Sequence, residues 1–228
     1  AMTNHLTERT LSDLAFSLPG SAALFHDYKL DFCCAGQRSL REAANEQGLD
    51  AERIAEELLA LPPADEMNVQ WINWRLTSND QLIDHILERY HTVHRQQLPA
   101  LIPLAERVEK THAAHPLCPV GLTAHLKKIQ EELEWHMCKE ESVLFPWLRQ
   151  GIPLTHVQGP IGVMRHEHDE HSQSLAVLAD LTDDLTVPAD GCNSWRRLYS
   201  GLEELRRDLM QHIHLENNLL FLGANHPA

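Results

Sequence analysis

Residues 136–145 read HMCKEESVLF and residues 212–221 read HIHLENNLLF. Both have the form His-x-x-x-Glu-x-x-[Val/Leu]-Leu-Phe. A second pattern is also written twice: HTVHRQQL at 91–98 and HDEHSQSL at 168–175 share His-x-x-His-x-Gln-x-Leu. Residues four apart on a helix lie on one face, one turn above the other. His136 with Glu140, and His212 with Glu216, therefore each present an imidazole and a carboxylate to one point. The Leu-Phe pairs that follow carry those faces on into apolar core. One histidine from each His-x-x-His helix brings the set to four imidazoles and two carboxylates. If both Glu residues bridge, each of two metal ions receives two imidazole nitrogens and two carboxylate oxygens. A bridging oxo or hydroxo group makes a fifth ligand and leaves a sixth position for a small molecule. Such mixed ligation suits iron or manganese better than calcium, magnesium or thiolate-bound zinc. About one His-x-x-x-Glu match is expected by chance in a chain this rich in both residues, so the short motif alone says little. His166/Glu170 is read as that accident, and the duplication carries the weight. Spacing leaves His94 and His171 as alternatives to His91 and His168, because i and i+3 share a face. Glu132, one turn before His136, and Glu167, beside His168, are each either support for a ligand or solvated surface.

Helices must position these groups, and helix signals dominate the chain. Ser39-Leu40-Arg41-Glu42 and Ser78-Asn79-Asp80-Gln81 fit the capping box, and Asp50 suits the cap of AERIAEELLAL. Four long amphipathic segments are predicted at roughly 78–110, 119–150, 160–183 and 190–222. Pro160 suits the first turn of the third and Gly151 the end of the second. Pro99, Pro103 and Pro146 predict kinks or early ends. Short loops between such helices make an up-down bundle, and the two repeats make it pseudo-twofold. The expected organisation is all-α: a small N-terminal helical domain over 10–61, a linker over 62–76 whose PPADEMNVQ stretch has linker composition, and a four-helix bundle over 77–224.

Composition narrows the partners. A net charge of −14 would be repelled by nucleic-acid phosphates and anionic membranes. No apolar run approaches the length of a membrane span, and no basic-then-apolar leader opens the chain. Five cysteines without framework spacing point to a reducing compartment, hence the cytoplasm. Cys33 and Cys34 in DFCCAGQRSL are adjacent, and a disulfide between them would strain the intervening peptide. Two neighbouring thiols ahead of a helix suit metal or nitric-oxide capture or redox exchange, or else two small buried residues in a turn. Cys118 and Cys192 have no partner by spacing. Cys138, turned away from the ligand face, is read as packing.

DYKLDFCCAGQRSLREA, followed by LIDHILERYHTVHRQQLP, HMCKEESVLFP, GPIGVMRHEHDE and DLMQHIHLENNLLF, resembles the repair-of-iron-centres family over nearly the whole chain. Its members are bacterial di-iron proteins with a hemerythrin-like bundle, implicated in restoring iron–sulfur clusters damaged by nitric oxide or oxidants. The resemblance implies two irons per chain, held by His91, His136, Glu140, His168, His212 and Glu216 with both Glu residues bridging, which selects His91 and His168 from their pairs. It implies functional thiols at Cys33 and Cys34, and damaged iron–sulfur proteins and small diatomics (nitric oxide, oxygen) as partners. Catalysis and iron donation both stay open, as does a homodimer. The end of the last helix is one local departure, since LENNLLFLGAN lacks the proline that follows phenylalanine in LFP at 144–146. The rival readings are a hemerythrin-type oxygen or nitric-oxide carrier or sensor, which needs an extra histidine, a ferritin-like oxidase, which uses more carboxylates, and a helical interaction domain with incidental histidines.

Overall fold

A computed structural model describes residues 2–67 and 71–223, and no strand forms among them. Two compact units emerge: Ala1–Leu82 together with Ile213–Ala228, and Ile83–His212. Both divisions fall inside helices that run on unbroken.

The first unit begins with five short helices, α1 (Met2–Thr7), α2 (Leu11–Ser17), α3 (Ser21–Asp27), α4 (Leu40–Glu46) and α5 (Ala51–Leu59). Their starts follow the capping logic of the sequence. Ser39 Oγ accepts the Glu42 amide, and Asp50 accepts those of Glu52 and Arg53. Leu11, Leu14, Phe25, Leu30, Phe32, Leu40 and Ile54 are buried. Five helices this short have little surface to bury, and the end of the last helix adds to their core. There the buried His214 ring stacks on Phe16 at 4.2 Å and meets Phe32 edge-on at 5.3 Å. Of the expected linker, 68–70 lie outside the described residues. Beyond them Arg75 reaches back to Asp13 at 2.8 Å, where Arg9 also binds.

Four long helices follow. The first, α6, joins an α segment Asn79–His85, a π turn Ile86–His91 and an α segment Thr92–Thr111. The second, α7, joins Leu122–Lys139, a π turn Glu140–Leu144 and Phe145–Arg149. Then come α8 (Gln158–Leu181) and α9 (Asn193–Asn218). The full capping box forms at Ser78/Gln81, each amide 3.1 Å from the other's side-chain oxygen. Gly151 ends α7 with φ +75°, a value glycine adopts without cost.

Cross-helix contacts set the directions. Arg149 binds Asp84 while Lys127 binds Glu106, so α6 and α7 run antiparallel. His125 Nε2 meets the Ser174 carbonyl at 2.8 Å and His136 meets Glu167, so α7 and α8 do too. His94 touches His212, while a Cβ on Gly201 would come within 2.6 Å of Leu101, so α9 returns along α6 and needs a glycine at the approach. Pro99 and Pro103 do not end α6, which continues to Thr111. Burial of Leu98, Leu101, Ile102 and Ala105 in the bundle offsets the hydrogen bonds that the two prolines delete.

Two stability tests follow. Replacing the fully buried Leu126 by Ala should cost about 2–5 kcal/mol in urea unfolding, whereas Val163→Ala, at 51% exposure, should stay within about 0.5 kcal/mol. Asp13 is held at a pKa of about 2, chiefly by its hydrogen bond from Arg9 and, against the opposing effect of burial, by Arg75. A carboxyl depressed on folding stabilises above its unfolded pKa of about 3.9 and ceases to as pH falls through the folded value. Asp13→Asn should therefore flatten the loss of the urea midpoint between about pH 4 and pH 2.

Candidate metal centre

His91 closes the π turn of α6 and Glu140 opens that of α7; a π turn shifts the residues around it relative to regular helix and recurs at functional sites. His168 and the pair His212/Glu216 project from regular helix on α8 and α9. All six side chains are at most 1% exposed. Ligand atoms of His91, Glu140 and His212 lie within 4.8 Å of one another, as do those of His136, Glu140 and His168. Glu216, one turn beyond His212 on the same unbroken helix, completes both groups. The six residues singled out by the duplicated motif and the resemblance thus converge, with Glu140 and Glu216 common to both sets.

The imidazoles are oriented from behind. His91 Nδ1 stands 2.6 Å from Glu141 Oε2, and Arg95 braces that carboxylate at 2.7 Å. His136 Nδ1 stands 2.8 Å from Glu167 Oε1, which Lys139 also binds. The hydrogen bonds from His91 and from Arg95 hold the Glu141 pKa at about 2, although burial opposes them. At Glu167 burial pushes upward most, yet the bonds from His136 and Lys139 prevail and hold it at about 2 as well. An ionised carboxylate only accepts, so each Nδ1 carries a proton and the opposite nitrogen, Nε2, is turned toward the interior. A third chain does the same on α9. The Gln97 amide oxygen accepts from His94 Nδ1 at 3.1 Å, so His94 Nε2 accepts from His212 Nδ1 at 3.1 Å, leaving the His212 Nε2 lone pair. Burial, with His212 beside it, lowers the His94 pKa to about 3, which keeps the His94 ring neutral.

His91 Nε2 and His136 Nε2 face Glu140 Oε1 at 3.2 and 3.3 Å, and His136 Nε2 stands 3.2 Å from His168 Nε2. Neither oxygen of Glu140 accepts a hydrogen bond, although the side chain is fully buried. A carboxyl group buried away from water without a donor is costly unless a cation stands beside it. Bonds of about 2.1 Å to one ion place neighbouring ligand atoms about 3.0–3.4 Å apart, the spacing found here. The residues therefore fit a metal, and imidazole with carboxylate suits iron or manganese.

The remaining candidates sort clearly. His94 spends both nitrogens behind His212. His171 packs edge-on to His136 at 4.9 Å, and burial pushes its pKa down to about 2. Glu167 stands behind His136, whereas Glu132 is half-buried and pairs with Lys128. His166 and Glu170 are exposed, as an accidental match should be. Cys138 lies toward the surface with its Sγ 3.3 Å from Glu134, so it is not core packing. Cys192 does have a partner, His112 Nε2 at 3.1 Å, which spacing did not suggest. Glu141, Arg95 and Lys139 were missed; a second carboxylate directly after Glu140 was the available signal. Cys33 and Cys34 do not join the six ligands but group with Asp31 in the first unit. All five cysteines are described, and none forms a disulfide.

Comparison with known proteins agrees. Residues 82–222 match the Hemerythrin HHE cation binding domain, and 7–62 match a Domain of Unknown function (DUF542). The chain is 47% identical over 223 residues to the Iron-sulfur cluster repair protein YtfE of Musicola paradisiaca, covering 96% of this chain and 97% of that protein. Proteins of the same name from Dickeya chrysanthemi (44% over 222 residues) and Yersinia pestis (46% over 216 residues) match 96% and 95% of this chain, and 98% and 96% of their own lengths.

Glu141→Gln and Glu167→Gln should each weaken iron retention about 10–100-fold in competition with a chelator, because the imidazole behind loses its anionic anchor. Glu132→Gln should leave it unchanged.

Proposed function

Since the chain belongs to the iron–sulfur cluster repair family and carries its hemerythrin-type cation-binding domain, we propose that it restores iron–sulfur clusters damaged by nitrosative or oxidative stress, using two irons held in the bundle. The observation that carries the reading is Glu140, buried with no donor on either oxygen and facing two imidazole nitrogens. His91 and His212 would hold one iron and His136 and His168 the other, with Glu140 and Glu216, which belong to both groups, as the shared carboxylates. Bound there, the pair supplies exchangeable iron and open positions for nitric oxide or oxygen. The chain's own residues keep the set in place. Glu141 and Glu167 lock two imidazoles in the metal-binding tautomer, and Gln97 through His94 locks a third. Phe145 stacks on His91 at 5.6 Å and Tyr90 on His212 at 5.5 Å, screening the imidazoles from water.

A ligand set of four imidazoles and two carboxylates suits iron better than the oxygen-preferring cations magnesium and calcium. The carrier reading requires a further histidine ligand. His94 is engaged at both nitrogens, and His171 belongs to neither ligand group. The reading places the protein in the cytoplasm, where thiols stay reduced; no helix among the described residues is long and apolar enough to cross a membrane.

Purified protein reconstituted anaerobically with ferrous ion should hold about two irons per chain, and Glu140→Ala should lose nearly all of both. Loaded protein should restore activity to a nitric-oxide-damaged iron–sulfur enzyme, and the variant should not. Iron indifferent to Glu140 would overturn the site, and full iron without restoration would overturn the repair role.

A further inference from the structure

The loop between α3 and α4 gathers a second set of metal-binding atoms. Cys33 Sγ stands 3.9 Å from Cys34 Sγ and 3.2 Å from Asp31 Oδ1, and the three ligand atoms lie within 4.8 Å of one another. Metal–sulfur bonds of about 2.3 Å at a tetrahedral angle separate two sulfurs by about 3.8 Å, and a metal–oxygen bond of about 2.1 Å places oxygen about 3.6 Å from sulfur. The observed spacings are close to those of a chelate.

The backbone holds this arrangement. Amides of Cys33 and Cys34 donate to Asp31 Oδ1 at 3.1 and 2.9 Å. Asn218 Nδ2 donates to the Phe32 carbonyl at 2.9 Å, and Asn217 Nδ2 to the Cys33 carbonyl at 3.2 Å. Gly36 lets the chain fold over itself, since a Cβ there would come within 2.3 Å of the Phe32 carbonyl oxygen. Cys33 is buried, while Asp31 and Cys34 are half-buried, so solvent reaches one side of the set. The hydrogen bond with Cys34, burial and the Asp31 carboxylate all push the Cys33 thiol well above its usual range. A thiol so placed as Cys33 keeps its proton until a cation displaces it.

We propose that Asp31, Cys33 and Cys34 form a further metal site, apart from the imidazole–carboxylate centre, for a single thiophilic divalent cation. Binding exchanges two thiol protons for two metal–sulfur bonds and leaves a fourth position for water or an incoming ligand. Two sulfurs and one oxygen select zinc, cobalt or ferrous iron over magnesium and calcium. On the repair reading, on which this last step rests, the cation is ferrous iron on its way to a damaged cluster. Asn217, which holds the Cys33 carbonyl and lies 4.0 Å from Cys34 Sγ, directly follows Glu216 in α9.

Anaerobic titration of the full, iron-loaded chain with cobalt(II) tests the site. One added equivalent should raise a sulfur-to-cobalt charge-transfer band and release protons. Cys34→Ser should abolish the band. Asp31→Asn, which keeps an acceptor for both amides, should weaken binding at least about tenfold, with iron content unchanged in both variants. No thiolate band at millimolar cobalt, or a full band in Cys34→Ser, overturns the proposal. The band is specific to sulfur, and its loss in Cys34→Ser separates this site from Cys118, Cys138 and Cys192, whatever the imidazoles hold. Loss of iron in the same samples would count against the two-iron centre alone.

Discussion

Glu140 sits fully buried with no donor to either oxygen and with the Nε2 atoms of two imidazoles turned toward it. Burying a carboxyl group away from water is costly unless a partner stands beside it. Glu141 and Glu167 hold the N–H of His91 and His136 on the far side of each ring, which aims each Nε2 inward. A cation held among these groups answers that cost, and metal binding and bundle packing then share one free-energy balance. Much else in the long helices serves that balance, from the braces behind the imidazoles to the aromatic rings stacked on them.

The braces also explain how charge is distributed. Arg95 and Lys139 neutralise Glu141 and Glu167 near the surface, so the anionic charge facing the interior is that of Glu140 and Glu216. Each imidazole so anchored is rotationally fixed, which removes an ordering cost at the moment of binding. The pseudo-twofold pattern is not carried through the backbone. Both π turns fall in the first helix pair, at His91 and at Glu140, while His168 and Glu216 project from regular helix. On α7 the π turn places two consecutive carboxylates in different roles, Glu140 toward the interior and Glu141 behind His91.

That difference marks where sequence reasoning stops. Four helices, their directions and the pairs His136/Glu140 and His212/Glu216 follow from a duplicated motif at helical spacing, because 3.6 residues per turn dictates which groups share a face, whereas His91 and His168 came from the family resemblance. A π turn breaks that periodicity, so Glu141 could not be placed behind His91 by counting. Nor could spacing choose between His91 and His94, which share a face; only the Gln97–His94–His212 chain shows what the second histidine does. Pro99 and Pro103 predicted interruption, yet tertiary burial carried α6 through both. The small unit hides its dependence on α9 for the same reason: His214 and Asn218 meet Phe32 across most of the chain length, a contact no local pattern encodes.

The last turns of α9 carry two sets of side chains. His212 and Glu216 belong to the ligand groups, and His214, Asn217 and Asn218 meet Phe16, Phe32 and the carbonyls beside Cys33. A helix gives side chains one residue apart different directions, so adjacent positions can serve different ends. Asn217 and Asn218 each donate from a side-chain amide to a main-chain carbonyl, a contact that fixes backbone position whatever the protonation of the thiols. The stretch HIHLENNLLF therefore satisfies two constraints at once, which is why it matches HMCKEESVLF at the ligands and departs from it at His214, Asn217 and Asn218.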